Sequence, residues 1–142
     1  MKKIGVFFIC LFVLGCNPND EPTIKNKCNV SSEIISSEDF SAVSTSNYAI
    51  TKVEINDDCI EITFGSSGCG TELWEEHLFS VDSFYTIFPL QRDLKMKLIN
   101  EELCEAYFIK TVSFDLTPLQ IDGQNIVPLN IYGWNEQVSY EY

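Results

Sequence analysis

The sequence is poor in residue types on which several common functions depend. It contains a single histidine, His77, and only nine basic residues against 21 acidic ones. Because the formal net charge is −12 at pH 7, a phosphate-rich partner would be repelled by the field of the whole chain. We therefore do not expect a nucleic-acid partner.

Long apolar segments are also missing. The longest apolar stretch, residues 4–14, covers about eleven residues, whereas a transmembrane helix needs about 20. Gly15, Asn17 and Pro18 follow this stretch and would end any helix there. We expect no transmembrane helix.

The first residues have the three parts of a signal peptide, namely the cationic Lys2 and Lys3, an apolar core and a small residue at the cleavage point. The tetrad Val13-Leu14-Gly15-Cys16 resembles the lipobox of bacterial lipoproteins, in which the cysteine thiol is alkylated with a diacylglyceryl group before cleavage. This resemblance implies a signal peptide over residues 1–15 and a lipid anchor on Cys16, carrying fatty-acid chains such as palmitate. The alternative is an ordinary signal peptide that is cut nearby and leaves Cys16 free.

Cleavage before Cys16 would leave 127 residues with seven basic and 21 acidic side chains, a net charge near −14. Residues 16–27 are polar apart from Ile24 and predict a flexible tether whose eleven residues after Cys16 could reach roughly 35 Å from the lipid surface. Asp20 and Glu21 resemble the acidic export signal of some Bacteroidota lipoproteins, although a merely polar linker would look the same. We predict a lipid-anchored envelope protein in the outer membrane, facing the periplasm or exposed on the surface, with one domain over residues 28–142.

Four of the six cysteines remain in this domain, because Cys10 leaves with the signal peptide and Cys16 carries lipid. An even number in an oxidising envelope predicts two disulfides, and no C-x-x-C spacing suggests a zinc or redox site. The four are Cys28, Cys59, Cys69 and Cys104. A zinc site built from them with His77 is the alternative.

Four cysteines allow three pairings, and strand geometry narrows the choice. The chain runs about 17 Å from Cys59 to Phe64 along a predicted strand, so Cys69 returns to Cys59 only if the following loop doubles back tightly. We favour Cys28 with Cys59 and Cys69 with Cys104. The pairing of Cys28 with Cys69 and Cys59 with Cys104 remains open.

The dominant pattern after Cys28 is alternation of apolar and polar residues, as in Ile60, Ile62 and Phe64, and this is typical of half-buried strands. Turn-forming residues separate the alternating segments. We predict strands near residues 47–55, 58–64, 72–82, 92–99, 104–115, 125–132 and 137–142. We predict turns at Asn56-Asp57-Asp58, Gly65-Ser66-Ser67-Gly68, Asn100-Glu101-Glu102 and Asp122-Gly123.

About seven short strands of this kind predict a small all-β domain, either an antiparallel sandwich or a barrel, with an immunoglobulin-like arrangement preferred. One short helix is compatible with the pattern. The sequence Ser36-Ser37-Glu38-Asp39 has the spacing of a capping box, and polar residues end the segment within about two turns.

The spacing of the cysteines and their neighbours resembles that of small uncharacterised lipoproteins of Bacteroidota. The resemblance implies an envelope location and a disulfide-bearing β domain, and it carries over no catalytic residue. It rests on Cys28, Asp58-Cys59, Gly68-Cys69, Glu102-Leu103-Cys104, Ser113-Phe114-Asp115-Leu116 with Pro118-Leu119, and Gly133-Trp134 behind the lipobox.

Three adjacent acidic pairs could in principle build a calcium site or a glycosidase-like acid and base. Adjacent residues in a strand point to opposite faces, and the D-x-D-x-D pattern of a calcium loop is absent. We therefore interpret the pairs as solvated acids and expect no metal site and no cofactor. The pairs are Asp57-Asp58, Glu75-Glu76 and Glu101-Glu102.

His77 beside two glutamates is the one candidate for a general base. A hydrolase would also need a nucleophile, and Ser66 and Ser67 lack the G-x-S-x-G spacing that presents one. The same glycine-rich loop lacks the lysine of a phosphate-binding loop. We expect no catalytic residue, with a hydrolase using His77 as the weaker alternative.

The most promising binding patch is formed by Phe84, Tyr85 and Phe88, in an apolar run that does not alternate as a strand would. Exposed aromatic rings can stack on sugars or anchor a protein partner. We interpret the chain as a non-catalytic binding or accessory module, joined to the membrane by its lipid, whose partner is a basic protein or a glycan. An inhibitor or immunity-like protein against a cationic envelope enzyme is the main alternative.

Overall fold

The computed structural model describes residues 28–84 and 87–142, which form two packed β-sheets. The predicted signal peptide, the lipidated Cys16 and the tether lie outside the described residues. Within those residues, no helix is long and apolar enough to cross a membrane. The elements are β1 (Val30–Ser31), β2 (Glu33–Ile35), α1 (Ser37–Ala42), β3 (Ala49–Asn56), β4 (Cys59–Gly68), β5 (Glu75–Val81), β6 (Arg92–Ile99), β7 (Ala106–Asp115), a 3-10 turn (Thr117–Leu119), β8 (Ile126–Ile131) and β9 (Val138–Glu141).

The first sheet has four strands in the order β1-β7-β4-β3, and the second has five in the order β2-β5-β6-β8-β9. The alternating pattern explains how they face each other. Ile60, Ile62 and Phe64 of β4 point inward and are fully buried, as are Leu94 and Met96 of β6. These side chains form one hydrophobic core between the sheets, so the predicted all-β sandwich is confirmed.

Two details of that prediction need correction. Among the described strands, three of the seven pairings are parallel, namely β1 with β7, β2 with β5 and β6 with β8, so the sheets are mixed rather than antiparallel. In immunoglobulin domains the first strand pairs with the second, whereas here β1 pairs with β7. Alternation shows which face of a strand is buried, but not which strand lies beside it or in which direction.

The predicted turn at Gly65-Ser66-Ser67-Gly68 is wrong, because all four residues continue β4 and pair with β7 as far as Ala106. Ser66 faces inward and its hydroxyl donates to the backbone oxygen of Asn47 at 2.6 Å. Gly65 has no side chain where the ring of Tyr107 lies over the strand, since a Cβ there would overlap that ring. The glycines therefore serve close packing on a strand.

The short helix is confirmed. Ser36 is its N-cap, and its hydroxyl accepts a hydrogen bond from the backbone nitrogen of Asp39 at 3.1 Å. Phe40 is buried against the outer face of the second sheet, where Nζ of Lys95 donates to the backbone oxygen of Phe40 at 2.9 Å. A cation that binds the last carbonyls stabilises the helix end.

The two disulfides are Cys28–Cys59 and Cys69–Cys104, with Cα atoms 5.6 and 4.9 Å apart. This is the favoured pairing, which is therefore confirmed. The four sulfurs are joined in two pairs and leave no thiolate to bind zinc, so the alternative zinc site is excluded. Cys59 begins β4 and Cys69 follows its last residue. A strand of ten residues is about 33 Å long, which explains why these two cysteines do not pair.

The disulfides define the two ends of the sandwich. The proximal end carries Cys28–Cys59. Residues 82–84, 87–91 and 116–125 lie there too, and the backbone nitrogen of Leu90 donates to Gln124 Oε1 at 2.7 Å. The distal end carries Cys69–Cys104 with residues 69–74 and 100–105. Residues 28–29, where the described chain begins, thus lie at the same end as Phe84 and Phe88.

Candidate functional site

A cleft of about 240 Å³ opens between α1 and the outer face of the second sheet. We call it the aromatic cleft. Two of its rings are substantially exposed, those of Phe84 and Tyr132, at 42% and 47%. Its lining consists of Ser37, Phe40, Ser41, Val81, Ser83, Phe84, Asp93 and Tyr132.

Packing under the helix fixes the position of Tyr132. The ring of Phe40 meets that of Tyr132 edge to face, with centroids 5.9 Å apart and an angle of 81° between the planes. Nζ of Lys95 lies 4.8 Å from the Phe40 centroid and 4.9 Å from the Tyr132 centroid. These contacts hold the ring in place without covering it fully.

Phe84 makes a cation–π contact with Arg92, whose guanidinium carbon lies 4.7 Å from the centroid of the Phe84 ring. Arg92 is 4% exposed, and its Nε donates to the backbone oxygen of Leu119 at 2.7 Å. Burial lowers the pKa of Arg92, and the charge of Tyr142 opposes this change. An arginine remains cationic at neutral pH in any case. Arg92 therefore contacts one face of the Phe84 ring as a cation, and the rest of the ring is exposed.

Polar groups surround the two rings. Asp93 lies on the outer face of β6, where its Oδ1 accepts a hydrogen bond from Nδ2 of Asn130 at 3.1 Å. The hydroxyl of Ser37 donates to Oδ1 of Asp82 at 3.0 Å. Flat apolar faces beside fixed carboxylate and hydroxyl groups can bind a small amphipathic ligand.

The predicted binding patch adjoins this cleft. Phe84 belongs to both. Phe88 is 84% exposed, and Ile87, which directly precedes it, is 56% exposed. Tyr85 lies outside the described residues. The role of the patch in binding stays a prediction. Tyr132 was not identified as a binding residue from the sequence, because a single aromatic residue after β8 carries no signal of its own there.

His77 is not brought together with a nucleophile. It lies on the outer face of β5, stacked on Phe79 with ring centroids 5.7 Å apart, and pairs in register with Lys97. Ser66 belongs to the other sheet, and its hydroxyl is bonded to the backbone. The geometry therefore gives no support to a hydrolase that uses His77 with this serine.

The adjacent acidic pairs are only partly solvated, since the second acid of each pair makes a specific contact. Tyr140 donates to Oδ1 of Asp58 at 2.6 Å, and Lys110 contacts Oε1 of Glu76 at 2.7 Å. Glu75 and Glu76 are the one pair within a strand, where adjacent residues point to opposite faces, so Glu76 reaches inward while Glu75 is exposed. Among the described residues no group of three histidine, cysteine or acidic side chains is arranged to hold a metal ion.

Glu102, the second acid of the third pair, binds the loop that carries Cys69. Its Oε2 accepts hydrogen bonds from the backbone nitrogen of Cys69 at 3.0 Å and from that of Gly70 at 3.4 Å. It also accepts one from Nε1 of Trp74 at 3.1 Å. This carboxylate therefore organises the distal end rather than a catalytic site.

No protein-family model and no curated protein matches the sequence. The fold is similar to the crystal structure of a protein of unknown function, DUF1344, from Bacteroides vulgatus, with a TM-score of 0.53 and 13% identity. That likeness covers 81% of this chain and 56% of the other, so the chain spans little more than half of its neighbour. It shows a shared fold and nothing finer.

A second similar structure is a Parabacteroides distasonis protein that is provisionally described as toxin-related. Its TM-score is 0.49 at 15% identity, and the likeness covers 80% of this chain and 61% of that one. Bacteroides vulgatus belongs to the Bacteroidota, the group to which the sequence resemblance pointed.

Proposed function

We propose that the chain is a lipid-anchored binding module of the bacterial cell envelope, which binds a saccharide in the aromatic cleft and catalyses no reaction. The lipobox-like tetrad ending at Cys16 supports the anchor. The two disulfides support export, because such bonds form and persist in oxidising compartments. An outer-membrane location follows from the resemblance to Bacteroidota lipoproteins and is part of the proposal.

The observation that carries the ligand class is the pair of half-exposed rings, Phe84 and Tyr132, in one cleft with the carboxylate of Asp93. A sugar ring has an apolar face that stacks on an aromatic side chain and hydroxyl groups at its edge that donate to carboxylates. The cleft volume of about 240 Å³ suits a single sugar ring better than a folded protein partner. Both rings are held by packing, so little entropy is lost on binding.

The test is saccharide binding by the lipid-free mature chain, residues 17–142, screened on an array of bacterial surface glycans and measured by calorimetry. We expect Phe84→Ala and Tyr132→Ala each to weaken binding at least tenfold, about 1.4 kcal/mol, and Tyr132→Phe to retain it. Phe79→Ala, an aromatic substitution on the same sheet outside the cleft, is the matched control. Binding that is unchanged in both cleft variants, or no binding to any glycan, would refute the site.

The main alternative is an inhibitor or immunity-like protein that caps a cationic enzyme, which the net charge near −14 of the mature chain favours. Incubating residues 17–142 with basic muralytic enzymes distinguishes it, since an inhibitor lowers their rates and a saccharide-binding module leaves them unchanged. The hydrolase alternative is tested by His77→Ala, which should abolish any hydrolytic activity of the mature chain if His77 is its base.

A further inference from the structure

The distal end of the sandwich exposes four large apolar side chains that contribute nothing to the core. Leu103 is 97% exposed, Leu73 76%, Ile109 65% and Tyr107 60%. A soluble domain usually keeps such residues scattered, and a group of them indicates an interaction surface. We call these four residues the distal apolar surface.

Glu102 lies between two members of this surface, Leu73 and Tyr107. It borders a hollow of about 450 Å³ with Leu73 on one side, and a groove of about 460 Å³ with Tyr107 on the other. Ile109 lies two residues beyond Tyr107 on the same face of β7, directly opposite Gly65 of β4. The hollow and the groove therefore share Glu102, which directly precedes Leu103 in the sequence.

The loops that present the two leucines are held without any help from the leucines themselves. Leu103 lies between Glu102, whose Oε2 is bound to the loop that includes Cys69, and Cys104, which is in the disulfide. Leu73 precedes Trp74, which is 4% exposed and donates to the same Oε2. A surface that is rigid before it meets a partner loses little entropy on binding.

The rim of the surface is acidic. Exposed glutamates occur beside both leucines in the sequence, namely Glu72, Glu75, Glu101 and Glu105. Lys110, the cation on the neighbouring strand, contacts Glu76 and donates to the backbone oxygen of Thr71 at 3.2 Å. Charge complementarity across an interface therefore calls for a positively charged partner.

We propose that the distal apolar surface is a docking site for a cationic polypeptide, which inserts an apolar side chain between Leu73, Leu103 and Tyr107 and places basic residues against the glutamate rim. This site is separate from the aromatic cleft, and the proposal stands whether or not the cleft binds a saccharide. It lies at the end opposite Cys28.

The test uses the full mature chain and three synthetic peptides of equal length, in which leucine alternates with lysine, leucine alternates with glutamate, or serine alternates with lysine. We expect the leucine–lysine peptide to bind at least tenfold more tightly than either of the others. The double variant Leu73→Ser/Leu103→Ser should weaken that binding at least tenfold. Both side chains are exposed, so the fold should persist, as unchanged circular dichroism would verify.

The matched control is Ile34→Ser, which replaces an exposed apolar residue on β2 and should leave peptide binding unchanged. Equal binding of the two lysine peptides would reduce the effect to charge alone and overturn the proposal. The proposal also fails if the leucine–lysine peptide does not bind, if the double variant binds it as well as the parent does, or if sedimentation shows a dimer of the mature chain that the double variant abolishes.

Discussion

Lys110 joins the two sheets at the distal end of the core. Its Nζ contacts Oε1 of Glu76 at 2.7 Å, and the side chains of the two residues are 27% and 7% exposed. Lys52 and Glu54 form an ion pair of similar length, 2.8 Å, but at 60% and 55% exposure. Since burial decides how much a lost partner costs, the two pairs should differ in their contribution to stability.

We expect Lys110→Met to lower the free energy of unfolding by on the order of 3 kcal/mol, because it leaves the carboxylate of Glu76 buried without its partner. Lys52→Met should change it by about 0.5 kcal/mol or less. Urea unfolding followed by tryptophan fluorescence measures both. Adding Glu76→Gln to Lys110→Met should restore part of the loss, and equal effects of the two lysine substitutions would contradict this account.

Tyr48 makes a pH-dependent contribution to the free energy of unfolding. Burial raises the pKa of Tyr48 to about 12, and its hydroxyl donates to the backbone oxygen of Met96 at 2.5 Å. Because an unfolded tyrosine has a pKa of about 10, this contribution is complete below pH 10 and is lost as the pH rises through about 12. Burial first, and the hydrogen bond to Asp58 second, raise the pKa of Tyr140 in the same direction.

The free energy of unfolding should therefore fall between about pH 9 and about pH 11. The Tyr48→Phe variant should be less stable than the parent at the lower pH. Its free energy of unfolding should also fall less than that of the parent when the pH is raised to the higher value. Urea titrations of both proteins at the two pH values measure the slopes. Parallel slopes would show that Tyr48 does not contribute to the alkaline loss.

β4 is fixed along both of its edges and at both of its ends. It pairs with β3 on one side and β7 on the other, and a disulfide lies at each of its ends. The two bonds close segments of 31 and 35 residues, and the chain-entropy model assigns each roughly 4 kcal/mol of stability. The disulfides differ in exposure, because Cys59 is 4% exposed while Cys69 and Cys104 are both exposed.

A mild reductant should consequently open Cys69–Cys104 before Cys28–Cys59, since thiol–disulfide exchange requires access to the sulfur. Alkylating the freed thiols at intervals and mapping the peptides by mass spectrometry gives the order. Labelled Cys28 or Cys59 appearing first would contradict the assignment. The partly reduced protein should keep its β circular dichroism and unfold at a lower urea concentration.

Much of the fold was predictable because long strands carry their own pattern. The inward residues of β4 and β6 alternate for several positions. The predicted strand after Cys59 argued against a Cys59–Cys69 bond, but the choice between the two other pairings stayed open. The strands β1 and β2 were missed because they have two and three residues, too few to show a period. Their parallel pairing also depends on distant parts of the chain, and no local pattern records that.

The candidate sites were less predictable for the same physical reason. Phe84 and Phe88 were identified because an apolar run without alternation cannot be a half-buried strand. Tyr132 and Phe40 meet only because α1 folds back over the second sheet. Leu103 has an ordinary sequence context, and its exposure of 97% follows from the disulfide and the Glu102 contacts that hold its loop.

At the scale of the whole molecule, the described domain begins at its proximal end, and the aromatic cleft and the distal apolar surface lie on different parts of it. The tether that we propose joins the chain at Cys28, the residue that is bonded to the start of β4. A lipid on Cys16 would then keep the proximal end nearer the membrane and leave the distal end nearer the solvent. Attachment at Cys16 is therefore the claim on which both proposed binding roles at the envelope depend.

Replacing Cys16 by Ser in the expressed precursor tests that claim most directly, with the intact mass and the detergent partitioning of the product as the measurements. The parent protein should be recovered in the detergent phase as a mature chain that begins at Cys16 and carries the mass of its acyl groups. The Cys16→Ser variant should remain unprocessed by the lipoprotein peptidase and carry no lipid. A variant that still partitions into detergent at the mature mass of the parent would contradict the lipid anchor.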